Sequence, residues 1–121
     1  MSGVQKRILV VEDEEPLQEM YREVFTNAGH SVDVAENGRI GFRKGATFDF
    51  DLVICDLQMP DWHGIDAIKS ILLVKPSCRF IVVSGYADRE IADELRVMPE
   101  ILAIFAKPVA MDKLLAAIAA V

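Results

Sequence analysis

The feature that most constrains the fold is a continuous apolar run that ends abruptly in a charge. Residues 52–55 are Leu-Val-Ile-Cys, and Asp56 follows at once. A strand that is apolar on both faces is typical of a parallel sheet covered by helices on each side. Asp56 is therefore expected at the carboxyl end of a buried strand, which is where open parallel sheets bind their ligands.

Three more apolar runs follow the same pattern. They occupy residues 8–11, 80–83 and 101–106, and the polar residues after them are Glu12 and Asp13, Ser84, and Lys107. The segments between the runs carry apolar residues at helical spacing, and residues 31–35 alternate in polarity as an edge strand does. The pattern predicts five strands that alternate with five helices in one doubly wound α/β domain over residues 1–121.

Composition excludes several classes of function. The chain has 121 residues, of which 52% are hydrophobic, so it is long enough and apolar enough for a buried core. Its net charge of −6, without a run of Lys or Arg, argues against nucleic acid or an anionic membrane as a direct partner. No apolar run is long enough to cross a bilayer, and we expect no signal peptide before the first strand. Cys55 and Cys78 lack the spacing of metal ligands, which favours a reduced, cytoplasmic setting.

Right-handed crossovers bring the carboxyl ends of the four buried strands to one edge of the sheet. Taken singly, each polar residue there has an ordinary explanation as a helix cap, a turn former or a solvated charge. Taken together, they are three carboxylates, a hydroxyl and a lysine. Carboxylates held close repel one another unless they protonate or share a cation, and oxygen ligands without Cys or His favour Mg²⁺. An aspartate in such surroundings can act as a nucleophile toward phosphorus.

Four motifs occur in order along the chain: ILVVEDEE, LVICDLQMPDWHG, IVVSGYAD and FAKPV. Together they resemble the receiver domain of two-component response regulators over nearly the whole chain. The resemblance implies a flavodoxin-like α/β fold with strand order 2-1-3-4-5. It also implies phosphotransfer from a histidine kinase or a histidine phosphotransfer protein, and regulation of a downstream protein or an attached output domain. Such a domain catalyses only its own phosphorylation and dephosphorylation, and it can form a homodimer through helix 4, strand 5 and helix 5.

The resemblance also gives each polar residue at the strand ends a role. Asp56 corresponds to the phosphoacceptor, Lys107 to the lysine that contacts the phosphoryl group, and Ser84 to the switch hydroxyl. The groups expected to hold Mg²⁺ are Asp13, Asp56, the backbone carbonyl of Gln58 and, through water, Glu12. The bond between Lys107 and Pro108 is expected to be cis, a geometry that is inexpensive only before proline.

One departure from the family concerns how a phosphorylation signal would leave the site. Receivers carry an aromatic switch residue three places before the lysine, and this chain has Ile104 there. Phe105, one place later, is expected on the opposite face of the strand. A β-branched side chain is stiff and gains little by exposure, so we expect Ile104 to stay largely buried and the switch to be weak.

Two other interpretations stay open at this stage. A degenerate receiver would bind partners without phosphorylation, although the acceptor, the hydroxyl and the lysine are all present. An enzyme or flavin carrier of similar architecture fits less well. The acids after the first strand lack the Asp-x-Asp of dehalogenase-like phosphatases, and they would repel the phosphate of a flavin. Of the remaining residues, His30 and His63 are expected at the surface, and Trp62 and Tyr86 beside the site.

Overall fold

The computed structural model describes residues 5–58, 63–85 and 89–121, and only the main chain of residues 89 and 90. Strands and helices alternate along the chain. The strands are β1 (Arg7–Val11), β2 (Ser31–Ala35), β3 (Leu52–Asp56), β4 (Phe80–Ser84) and β5 (Ile101–Ala106). The helices are α1 (Glu15–Asn27), α2 (Gly38–Thr47), α3 (Gly64–Val74), α4 (Arg89–Arg96) and α5 (Met111–Ala119).

All five strands pair in parallel, in the order β2-β1-β3-β4-β5. This order confirms the predicted doubly wound α/β architecture. Every residue of β3 and β4 is buried, as the continuous apolar runs predicted. The strand β2 lies at one edge of the sheet and is only partly buried, which agrees with its alternating sequence.

Helices cover both faces of the sheet because the inner strands are apolar on both sides. Helices α1 and α5 pack on one face, where Phe25 and Ile118 are fully buried. Helices α2, α3 and α4 pack on the other face, and Ile71 and Leu95 lie in that part of the core. The polar residues lie at the carboxyl edge of the sheet, where β1, β3, β4 and β5 end.

Helix α2 shows how a segment with three glycines can be helical. Gly38, Gly41 and Gly45 are all buried. A Cβ atom on Gly41 would lie 2.8 Å from Cγ2 of Val11, and one on Gly45 would lie 2.8 Å from Cδ1 of Ile71. The lower helix propensity of glycine, about 1 kcal/mol relative to alanine, is therefore offset by a close approach that a larger residue would prevent.

Both histidines, which the sequence led us to expect at the surface, are partly exposed, and each accepts a main-chain hydrogen bond. His30 is half-buried, and its Nδ1 atom accepts a hydrogen bond from the backbone N–H of Lys6 at 3.1 Å. His63 is also half-buried and caps α3, where its Nδ1 atom accepts from the backbone N–H of Ile65 at 3.4 Å. A position in a loop does not show whether a ring nitrogen meets a main-chain donor, so these two hydrogen bonds could not be predicted from the sequence.

Candidate functional site

The polar residues after the buried strands meet at one edge of the sheet. One carboxylate oxygen from each of Glu12, Asp13 and Asp56 lies within 4.8 Å of the others. The Nζ atom of Lys107 donates a hydrogen bond to Oδ2 of Asp56 at 2.6 Å. Ser84 ends β4, and its backbone carbonyl accepts from the backbone N–H of Lys107 at 2.9 Å. The topology therefore brings together side chains from three strand ends around Asp56, with Ser84 beside Lys107.

Asp56 has a hydrogen-bond donor at each of its carboxylate oxygens. Its side chain is only 2% exposed. The Oδ1 atom accepts from the backbone N–H of Gln58 at 3.0 Å, while Oδ2 is paired with Lys107. A buried carboxylate is tolerated when it is paired and hydrogen-bonded, so these two contacts stabilise Asp56 and fix its orientation.

Glu12 is the other deeply buried acid of the cluster. Its Oε2 atom accepts from the backbone N–H of Glu14 at 3.1 Å, whereas its buried Oε1 atom has no hydrogen-bond partner among the described residues. Burial raises the pKa of Glu12 to about 7, and the neighbouring Asp56 and Asp13 act in the same direction. A buried carboxylate oxygen without a donor, next to two more carboxylates, fits a site for a hard cation.

Lys107 supplies the positive charge of the site. The peptide bond between Lys107 and Pro108 is cis, which confirms the prediction. Partial burial by itself lowers the pKa of Lys107, but the hydrogen bond and the charge of Asp56 outweigh this effect, and the pKa is raised. The raised pKa keeps the ammonium group of Lys107 protonated, so it is a positive charge beside Asp56.

The two predicted switch residues have different surroundings. Ser84 is 7% exposed and borders, together with Lys107, a hollow of about 400 Å³ beside α4. Ile104 is half-buried and packs against the core under α2, α3 and α4. It is not among the described residues that line the hollow. Phe105 packs on the opposite face of the sheet, as predicted.

The other residues that the sequence singled out are a predicted metal ligand, two aromatic residues and two cysteines. Gln58 is exposed and lies two residues after Asp56, the last residue of β3. Its backbone carbonyl stays a predicted ligand of Mg²⁺. Trp62 and Tyr86, which we expected beside the site, lie outside the described residues. Cys55 and Cys78 are both buried free thiols.

Two residues of α1 reach the site although the sequence interpretation missed them. The Nε2 atom of Gln18 donates a hydrogen bond to the backbone carbonyl of Glu12 at 2.7 Å. Tyr21 is buried, and burial raises its pKa to about 12, with the charges of Glu12 and Asp56 acting in the same direction. A spacing of three places Gln18 and Tyr21 on one face of the helix, and this spacing was the only signal in the sequence that could have found them.

Comparison with known proteins agrees with this geometry. A sequence model of the response regulator receiver domain matches residues 8–119. The chemotaxis protein CheY of Thermotoga maritima is 36% identical over 90 residues, which cover 74% of this chain and 75% of CheY. The transcriptional regulatory protein ZraR of Klebsiella oxytoca is 32% identical over 114 residues, which cover 94% of this chain and 26% of ZraR. The chain thus spans about a quarter of that regulator's length.

A solved structure shows the same fold. The response regulator TrrA of Thermotoga maritima, in complex with Mg²⁺ and BeF, superimposes with a TM-score of 0.82 at 28% identity. The similarity covers 94% of this chain and 96% of TrrA. Within residues 5–58, 63–85 and 89–121, no helix is long and apolar enough to cross a membrane.

Proposed function

Because the chain belongs to the family of response regulator receiver domains, we propose that it accepts a phosphoryl group on Asp56 and signals by changing conformation. The observation that carries this proposal is the pairing of Lys107 with the buried Asp56 beside the carboxylate cluster. Phosphoryl transfer depends mainly on positioning and on neutralisation of charge. This site offers both around a single aspartate.

The proposed step is attack by a carboxylate oxygen of Asp56 on the phosphorus atom of a phosphohistidine. An O–P bond forms and the P–N bond breaks, and the imidazole nitrogen leaves with the electron pair and takes up a proton. Gln58 and Lys107 orient Asp56 for this attack, and the ammonium group neutralises part of the charge on the transferred group. Later attack by water would release phosphate and restore Asp56, so the domain would turn over only its own acyl phosphate.

The residues of the cluster fit a divalent cation. In this proposal Mg²⁺ is held by Asp13, Asp56 and the backbone carbonyl of Gln58, with Glu12 acting through water. The close carboxylates and the unpartnered Oε1 atom of Glu12 support the assignment. When bound, the cation supplies charge neutralisation for the transferring phosphoryl group.

The signal is proposed to leave the site through Ser84, with Ile104 as a weak relay. A phosphoryl group on Asp56 would attract the hydroxyl group of Ser84 and change the hollow beside α4. Ile104 is half-buried, packs against the core and is not among the described residues that line that hollow. It also has no polar tip that would be stable in solvent. An element with one strongly preferred position transmits little free energy between states.

The phosphodonor, a histidine kinase or a histidine phosphotransfer protein, has to reach Asp56 from solvent. An apolar hollow of about 440 Å³ opens beside the site, and Lys107 borders it. Its lining includes Leu17 and Met20 of α1, and Pro108 and Val109 after β5. We propose that the donor protein docks here, because the surface is apolar and lies next to the residue that contacts the acceptor.

Further proposals concern what receives the signal. The chain spans about a quarter of ZraR, which supports an attached output domain or a separate downstream protein as the target. A homodimer through α4, β5 and α5 is a second candidate, because β5 is an uncharged edge strand and Leu102 on it is 44% exposed. We also propose one domain over residues 1–121 and a cytoplasmic location, which the free thiols of Cys55 and Cys78 support.

Incubation with acetyl phosphate and Mg²⁺, followed by intact-mass measurement, tests the central proposal. The parent protein should gain the mass of one phosphoryl group, and Asp56→Asn should gain none because an amide is a poor nucleophile. Asp51→Asn is the matched control, since Asp51 is exposed and its Oδ2 atom accepts from the backbone N–H of Arg7 at the other end of the sheet. Undiminished labelling of Asp56→Asn would place the acceptor elsewhere, and an unlabelled parent would favour a degenerate receiver.

A further inference from the structure

Hydrogen bonds fix Glu12 at three points. Its backbone N–H donates to the carbonyl of Ala35 in β2 at 2.9 Å. Its backbone carbonyl accepts from Nε2 of Gln18 at 2.7 Å, and its Oε2 atom accepts from the backbone N–H of Glu14 at 3.1 Å. Among the described residues, the buried Oε1 atom alone of the Glu12 side-chain oxygens is left without a donor.

We infer that Gln18 is a positioning residue for the divalent cation, because its amide group fixes the carbonyl of Glu12 and thereby keeps the side chain of Glu12 in the carboxylate cluster. The inference rests on the proposed function, since it assumes that this cluster binds Mg²⁺. Gln18 is half-buried in the second turn of α1. Its hydrogen bond therefore connects the helix to the end of β1 across the loop that carries the acids.

The connection matters because the cluster forms against electrostatic repulsion. Glu12, Asp13 and Glu14 are consecutive acids, and the side chain of Glu14, the N-cap residue of α1, makes no capping hydrogen bond. Like charges at this distance favour any movement of the loop that carries Glu12 away from Asp56. Gln18 opposes that movement with a neutral amide, which neither adds to the repulsion nor takes the place of the cation. A site that is ordered before its ligand arrives binds more tightly than one that orders on binding.

Two substitutions of Gln18 separate positioning from charge. Gln18→Met keeps a long side chain and removes the donor, so the loss of one hydrogen bond should weaken Mg²⁺ binding about three- to tenfold by isothermal titration. Gln18→Glu keeps the shape but presents an oxygen to the carbonyl of Glu12, so positioning predicts weaker binding here as well. An effect of charge alone predicts the opposite, since an added carboxylate attracts the cation. Gln5→Met is the matched control, because Gln5 is exposed and outside the site.

Labelling by acetyl phosphate supplies a second readout. In Gln18→Met the Mg²⁺ concentration that gives half the maximal rate should rise by the same factor as the dissociation constant. The rate at saturating Mg²⁺ should equal that of the parent, because Gln18 bonds the carbonyl of Glu12, whereas the oxygens of Asp56 accept from Gln58 and Lys107. A residue that served only the stability of α1 would lower the unfolding midpoint without shifting this concentration.

The outcomes separate this inference from the proposed function. Mg²⁺ binding by Gln18→Met as tight as that of the parent, or tighter binding by Gln18→Glu, would overturn it. Gln18→Asn retains the amide on a shorter side chain, and it should behave like Gln18→Met, so the inference remains testable if one variant does not fold. A parent protein that binds no Mg²⁺ overturns the proposed function, and the inference with it.

Discussion

The two ends of the sheet carry the same kinds of charged residue and use them in opposite ways. At the amino end, the Nζ atom of the buried Lys6 donates to the backbone carbonyl of Ile118 at 2.8 Å, and its backbone N–H donates to His30. The neighbouring backbone N–H of Arg7 donates to Asp51 at 2.8 Å. The charged groups of Lys6 and Asp51 thus each bond a neutral main-chain group, and these hydrogen bonds join parts of the chain that are distant in sequence.

At the carboxyl end, like charges are held together. Glu12, Asp13 and Asp56 lie within reach of one ion, and Lys107 alone of the described residues pairs with them. One buried carboxylate oxygen has no donor at all among these residues. The hydrogen bonds at the amino end stabilise the fold, whereas repulsion between the carboxylates at the carboxyl end lowers its stability. A bound cation would reduce that repulsion.

Asp13→Asn is expected to have the largest effect, because it removes one of the like charges at the carboxyl end of the sheet. The variant should bind Mg²⁺ about tenfold more weakly or worse, because one charged ligand is lost. In the absence of metal it should be more stable to unfolding by about 1 kcal/mol, because one repelling charge is removed. Isothermal titration and urea unfolding measure the two effects, and Asp51→Asn should show neither. Parent-like Mg²⁺ affinity would remove Asp13 from the proposed ligands.

Lys6→Met tests the amino end. The free energy of unfolding should fall by about 1–3 kcal/mol, because the carbonyl of Ile118 loses a charged donor in a buried position. Labelling of Asp56 at saturating Mg²⁺ should be unchanged. Urea unfolding measures the loss, with Lys113→Met as the control because Lys113 is exposed on α5. Abolished labelling of folded Lys6→Met would show that the two ends are not independent.

Adding beryllofluoride and Mg²⁺ tests how far a structural change at the carboxyl end extends through the domain. Backbone amide shifts should be large around Asp56 and Ser84, smaller along α4 and β5, and smallest near Lys6. The reason is that the stiff side chain of Ile104 already packs against the core and has little to gain by moving. Shifts along α4 and β5 as large as those beside Asp56 would contradict the weak switch, and Tyr86 or Phe105 would then be the next candidate relay.

The smallest expected effect is the pH dependence that His30 gives to the amino end. Burial lowers the pKa of His30 below its usual 6.5, and the charge of Lys6 acts in the same direction. The unfolded chain therefore takes up a proton more readily than the folded one. The stability that His30 contributes is present above the unfolded pKa and is lost as the pH falls from there through the lower folded pKa.

His30→Gln is the comparison that isolates this effect. Urea unfolding between about pH 7.5 and 5.5 should show a smaller decline in stability for the variant than for the parent. An equal decline in both proteins would mean that the hydrogen bond from Lys6 to His30 does not depend on the protonation of the ring.

The sequence by itself determined the fold class and the residues at the strand ends. Continuous apolar runs report burial on both faces, and the charge after each run reports where the chain leaves the core, because side-chain direction along a strand is a local property. Asp56, Ser84 and Lys107 could therefore be predicted at one edge before any contact was known. The close packing of Gly41 on Val11 could not, since a glycine in a helix only lowers its propensity.

Only the tertiary structure decided which polar atoms meet. Lys6 and Ile118 are separated by 112 positions and yet share a hydrogen bond, and Gln18 bonds a carbonyl that no spacing rule identifies. The packing of the half-buried Ile104 against the core under α2, α3 and α4 likewise follows from how the helices pack. Periodicity encodes which face a side chain takes, whereas a hydrogen bond also requires a partner at about 3 Å with suitable geometry, and that is set by the packing of elements distant in the chain.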